Sequence, residues 1–294
     1  MQAEAGDTAT EGRCVQETIA VIFDFDDTLA PDSTTGYLHR VGIDVGKFWK
    51  QDVHTLIAND WDPVPAYLHR IIEASRNDTP SVTRDDLRAW GRELPLHAGV
   101  ETLFTRLRNC VKQVHPRVSV EFYLISSGIG DVVRNTRIAH EFTDMWTSEF
   151  HYDADGRPAF PRKIVSFTDK TRYLFHIQKG IIGPQSRTNP LAVNRKVPSR
   201  DLRIPMNQFI FVGDGMTDIP CFSLVTKEEG IAVGVYDKHQ TEKWSSAFKF
   251  VAEGRVNTLY SADYTEQSDL STFLTMALHN MAEKIVVRSG SYQG

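Results

Sequence analysis

The run IAVIFDF, Ile19 to Phe25, shows no apolar–polar alternation and leads straight into three acids within four residues, Asp24, Asp26 and Asp27. A strand apolar at both alternating positions belongs inside a sheet covered on both faces. Acids crowded at the mouth of such a strand raise one another's cost of ionising. A bound cation, a shared proton or exposure on a turn relieves that cost.

Four more runs share this character: VEFYLIS (Val120 to Ser126), QFIFVGD (Gln208 to Asp214), GIAVGV (Gly230 to Val235) and FKFVA (Phe248 to Ala252). Helical patterns fall between or after them, at Asp131 to Phe142, Thr171 to Gln178 and Lys238 to Ala247. Asp269 to Val287 reads as a closing amphipathic helix, and EFHYDADGRPAFPR, Glu149 to Arg162, as a β-hairpin turning at Asp-Gly. Strands alternating with helices predict an α/β fold with an open, doubly wound, mainly parallel sheet. Tyr37 to Leu96 is mostly helical and too long for an ordinary strand-to-helix loop. Gly180 to Arg203, rich in Pro, Asn and Arg, is expected as a surface excursion. The expected organisation is a loose tail over 1–17, a core from 18–34 and 98–294, and a helical insertion over 35–97.

In open α/β sheets ligands bind beyond the carboxyl ends of the strands. The first strand is followed by Asp24, Asp26 and Thr28, the second by Ser126, Ser127 and Gly128, and the FIFVG strand by Asp214 and Asp218. These small polar and acidic groups converge on one edge. Mg²⁺ takes oxygen ligands and is bound by one or two carboxylates plus waters and substrate phosphate. Asp24 and Asp214, at neighbouring strand ends, are the natural pair. Asp26 returns to the same face two residues on, Thr28 is placed to tie the turn through its hydroxyl, and Asp27 falls on the other side as a helix or turn cap.

DFDDTLA, LISSG, Lys170 opening a helix, and VGDGMTD resemble, in that order, the four motifs of the haloacid dehalogenase-like phosphohydrolases. The resemblance spans roughly Ile19 to Val251. It implies a Rossmann-like core, Mg²⁺ as cofactor and an aspartyl-phosphate intermediate. On this resemblance Asp24 is nucleophile and metal ligand, and Asp26 is general acid/base and a metal ligand through its carbonyl. Ser126 and Lys170 hold the phosphoryl group, with Ser127 beside them in the phosphate-binding loop. Asp214 is the third protein ligand, and Thr28 and Asp218 support the site from behind. The insertion resembles the helical cap of the phosphoserine-phosphatase-like group.

The expected activity is Mg²⁺-dependent hydrolysis of a small phosphorylated metabolite. The rivals are a phosphotransferase or phosphomutase on the same motifs, and a non-catalytic phospholigand-binding regulator. Asp26 argues against a dehalogenase. A net charge of −5 argues against a nucleic-acid partner, and no apolar run reaches the length of a membrane span. The polar N-terminus and three scattered cysteines, Cys14, Cys110 and Cys221, suit a reduced cytoplasmic protein.

Overall fold

Residues Ile19 to Phe23 are fully buried, and they divide between two separate cores. Ile19, Val21 and Phe23 join one cluster, Ala20 and Ile22 the other. This division follows from the two-residue side-chain period of a strand and explains the missing alternation. Both faces of β1 are inside. In a computed structural model describing residues 16–76, 82–238 and 252–291, β1 (Thr18–Phe23) lies mid-sheet. The remaining strands are β2 (Ser119–Ile129), β3 (Asp144–Tyr152), β4 (Pro158–Lys163), β5 (Phe209–Gly213), β6 (Ile231–Tyr236) and β7 (Thr258–Ser261). Their order is β4-β3-β2-β1-β5-β6-β7. Every pairing is parallel except β3 with β4, which is the hairpin.

Helices α1 (Ser33–Arg40), α2 (Pro63–Ser75) and α3 (Arg84–Glu93) fall between β1 and β2, with short turns and a six-residue π-helical stretch, Phe48–Val53, among them. α4 (Val100–Val114) leads into β2, α5 (Phe167–Lys179) follows β4, α6 (Ile219–Lys227) follows β5, and α7 (Asp269–Ser291) closes the described chain. Leu103, Phe104 and Leu107 of α4 and Leu274, Leu278 and Ile285 of α7 pack on one sheet face. Tyr173, Leu174 and Ile177 of α5 and Phe222 and Val225 of α6 pack on the other. Full burial of such side chains contributes about 1.5–3 kcal/mol each. The result is a Rossmann-like α/β fold wound on both faces. Among the described residues no helix is long and apolar enough to cross a membrane.

One expected helix is corrected, and two strands go beyond the sequence reading. Asp131 to Phe142 is not one helix: it holds the turn Gly130–Val133 and a 3₁₀ turn at Ala139–Glu141. Asn135 and Thr136 explain the break, because their side chains bond back to Asp131 O and Val133 O and compete with a continuing helix. β3 is more than a hairpin arm, since Tyr123, Leu124 and Ile125 of β2 pair with its first residues. β7, a four-residue strand, was not predicted. The FKFVA strand and the Lys238 to Ala247 helix lie almost wholly outside the described residues, as does most of the 1–17 tail.

Candidate active site

Parallel pairing sets Phe23 beside Leu124 on β2 and Val212 on β5. The residue after Phe23 therefore emerges between two strand ends. Asp24 donates its backbone N–H to Val212 O at 2.9 Å, and its Oδ1 accepts from Phe25 N at 2.7 Å. The residue is 5% exposed. The chain then turns sharply: Phe25 O faces the N–H groups of Thr28, Leu29 and Ala30, and Asp27 takes φ of +53°. Asp tolerates this left-handed conformation better than most residues.

Lys170 has no exposed surface, and its Nζ bonds Asp24 Oδ2 at 2.8 Å and Asp218 Oδ1 at 2.7 Å. Burial alone would drive its ammonium pKa down. The carboxylates of Asp218 and Asp24 reverse this and hold it above the usual lysine value. Asp218 is equally buried, and its Oδ2 accepts from Gly215 N at 3.2 Å. A Cβ on Gly213 would stand 2.5 Å from that Oδ2, so the glycine before Asp214 clears the space Asp218 occupies. Asp24, Asp214 and Asp218 each present an oxygen within 4.8 Å of the others. Burial, then the charges of Asp218 and Asp24, push the Asp214 carboxyl well above the ordinary carboxylate range.

Asp26 stands at the other side of the turn. Its Oδ1 accepts from Ser33 N at 2.7 Å. Burial, followed by the charge of Asp32, pushes its pKa up to about 8. A Cβ on Gly128 would lie 2.6 Å from Asp26 Oδ2 and 3.2 Å from Ser126 Oγ. Ser126–Gly128, expected as a loop after the strand, lies within the irregular end of β2, where the register against β3 shifts, and the lack of a side chain at Gly128 lets this segment reach Asp26. Ser126 Oγ accepts from Gly128 N at 3.0 Å, while the Ser127 hydroxyl is buried with no hydrogen-bond partner among the described residues.

No family model matches the sequence. An uncharacterized protein of Borreliella burgdorferi is similar at 26% identity over 288 residues, 88% of this chain and 96% of that protein. A HAD family hydrolase from Salmonella enterica serovar Typhi superposes with a TM-score of 0.55 at 12% identity, covering 83% of this chain and 66% of that one. A phosphoserine phosphatase solved as a phospho-aspartyl intermediate analogue gives 0.52 at 15% identity, covering 88% and 99%. A probable phosphoserine phosphatase from Vibrio cholerae gives 0.52 at 11% identity, covering 94% and 69%. The chain has the haloacid dehalogenase-like fold.

On this fold all the sequence-selected residues stand at the carboxyl edge of the sheet or in the loops and helix that meet it. Two further details differ from expectation. The Thr28 hydroxyl is buried with no hydrogen-bond partner among the described residues, and the turn is closed by backbone bonds instead. What fixes Thr28 is its carbonyl, which accepts from Tyr264 OH at 2.9 Å. Asp27 forms the turn itself, and α1 is capped by Asp32, which accepts from Thr35 N at 2.8 Å.

Tyr67 was missed by sequence reasoning. It projects from α2 of the insertion and donates its hydroxyl to Ser127 O at 2.6 Å. Burial first, then the charges of Asp26, Asp32 and Asp24, raise its pKa well above the ordinary tyrosine value. One aromatic residue on the apolar stripe of a helix carries no sequence signal that separates it from core. Trp49 packs against Tyr67 at 5.9 Å between ring centroids and donates to Thr35 Oγ1.

Proposed function

We propose that the chain is a Mg²⁺-dependent phosphatase acting on a small phosphomonoester, with Asp24 as nucleophile and residues 35–97 as a cap over the site. The supporting observation is the buried Asp24–Lys170–Asp218 arrangement beside an Asp26 that keeps its proton at neutral pH. The donor set fits the metal: with all three ionised, these hard carboxylates against one ammonium would leave two negative charges, which a divalent cation balances. Asp24 and Asp214 would hold the ion directly. When bound, Mg²⁺ neutralises phosphoryl oxygens and orients the ester.

The protein groups do the rest. An Asp24 carboxylate oxygen attacks phosphorus, and the bond from phosphorus to the ester oxygen breaks. Lys170 fixes the Asp24 carboxylate and offsets charge on the transferring group. Asp26, protonated below about pH 8 and held through Oδ1, gives its proton to the leaving alkoxide from the Oδ2 side facing Gly128. In the second step Asp26 takes a proton from water, which attacks the aspartyl phosphate and frees inorganic phosphate and Asp24. Ser126, Ser127 and backbone N–H groups at that end of β2 cup the phosphoryl oxygens.

The test is phosphate release from a broad panel of phosphomonoesters, with Mg²⁺ and with chelator. One preferred small ester, hydrolysed only with the metal, supports the reading. Transfer to an added alcohol in excess of hydrolysis replaces it with a phosphotransferase, and silence across the panel counts against hydrolysis.

A further inference from the structure

Away from the acidic cluster, a groove of about 940 Å³ gathers six arginines: Arg84, Arg88, Arg92, Arg134, Arg162 and Arg187. Its carboxylates number three, Asp85, Asp131 and Glu149, and Arg187 also pairs with the buried Asp144 at 3.2 Å, so among the described residues two of the six positive charges exceed the acids that meet them, on a chain whose net charge is −5. The basic lining continues into a neighbouring groove of about 440 Å³, which shares Glu149, Arg162 and Arg187 and adds Lys163 and Arg172.

Arg84, Arg88 and Arg92 repeat every four residues along α3 and so share one helix face. Like charges at that spacing cost helix stability, and Asp131 and Asp85 offset that cost at Arg84 and Arg88. Arg84 and Arg88 each reach Asp131 Oδ1 through Nε, at 3.1 Å. Arg88 also faces Asp85 through Nη1 at 3.8 Å, whereas Arg84 is engaged through Nε, which leaves its terminal amino groups, the end that grips a phosphoryl or carboxylate group in a fork. Arg84 also lies over the Tyr152 ring at 5.2 Å, and Tyr152 OH donates to Asp131 Oδ2 at 2.7 Å. At the groove's second acid, Glu149 meets Arg134 at 3.2 Å and also pairs with Arg162 of β4. The acids thus act as hinges for arginine pairs rather than as neutralisers of the whole set.

We propose that this groove binds a compact, multiply phosphorylated small molecule, held between α3 of the insertion and the β3–β4 hairpin of the sheet. The volume lies within the range of small-ligand sites. Asp131 and Glu149, set among the arginines, interrupt the continuous basic track that a nucleic-acid backbone requires, and the chain's net charge opposes capture of a long polyanion. The proposal stands apart from the hydrolytic reading, because none of the groove's residues belongs to the acidic cluster.

The probe is inorganic tripolyphosphate, titrated calorimetrically at low ionic strength into the full chain, the Asp24→Asn chain and an Arg92→Ala/Arg162→Ala chain, with a short oligothymidylate as comparison. The expected result is one-site binding that is unchanged in Asp24→Asn and weakened about tenfold or more in the double variant, and that fades with added salt. Thermal unfolding checks that the double variant is folded. If it is not, Arg92→Glu alone, at an exposed position of α3, must give the weakening. Absence of binding, binding indifferent to the arginine variants, loss of binding in Asp24→Asn, or binding of the oligothymidylate alone would each overturn the proposal.

Discussion

The acidic cluster and the arginine groove are both dense in charge, yet they handle it in opposite ways. In the cluster Lys170 and Asp218 are fully buried and Asp24 nearly so, and one ammonium spans two carboxylates. In the groove Arg84 keeps 47% and Arg162 64% of its side-chain surface exposed while pairing with acids. Water carries most of the groove's electrostatic burden and almost none of that of Asp24, Lys170 and Asp218. A missing partner is therefore cheap in the groove and expensive in the cluster. The cluster's crowded carboxyls are relieved by Lys170 and by protons held at raised pKa, whereas the groove's excess positive charge is open to solvent and to anions.

The largest test of that contrast is Lys170→Met, which leaves Asp24 and Asp218 buried without their cation. Urea unfolding without metal should show a loss of about 3–5 kcal/mol. Adding Asp218→Asn to the same chain should recover part of it. A loss below about 1 kcal/mol would place the cluster in the same class as the groove.

A smaller effect is its pH dependence. Burial pushes the Asp26 carboxyl up to about 8 and the Asp218 carboxyl up to about 7. The unfolded chain releases both protons near pH 4. Folding therefore takes up protons between about pH 4 and 8, and stability from these groups, full below that window, is lost as pH rises through it. Metal-free protein should melt lower at pH 8 than at pH 5, and the rise in Tm on adding Mg²⁺ should be greater at pH 8. A Mg²⁺ effect equal at both values would break the link between the raised carboxyls and the cation. Smallest of all, Arg92→Ala should shift stability by no more than about 0.5 kcal/mol in the same urea assay.

The sequence disclosed the cluster more readily than what surrounds it. Asp24, Asp214 and Asp218 follow apolar runs that only a doubly covered sheet explains, so their convergence is legible from strand placement alone. Lys170 needed more, because a helical lysine is ordinarily solvated; its position at the opening of a predicted helix, and the family resemblance, singled it out. β3 was half hidden because Thr147 and Ser148, both fully buried, interrupt its apolar run. Tyr67 and Tyr264 were illegible for a different reason: each reaches the site from a segment whose pattern reports only packing, and their hydroxyl bonds to Ser127 O and Thr28 O depend on tertiary placement. The arginine groove on α3 was not read from the sequence, because it arises from chain segments far apart in sequence.

The central claim is that Asp24 receives the phosphoryl group. The most direct measurement is to quench turnover of a substrate found by the panel, reduce the protein with borohydride, and locate the modified residue by mass spectrometry, with Asp24→Asn beside it. Reduction of an aspartyl phosphate to homoserine at position 24, together with a folded Asp24→Asn chain that neither labels nor turns over, is the expected result. Substantial hydrolysis by that folded variant, or a label at another residue, would contradict it.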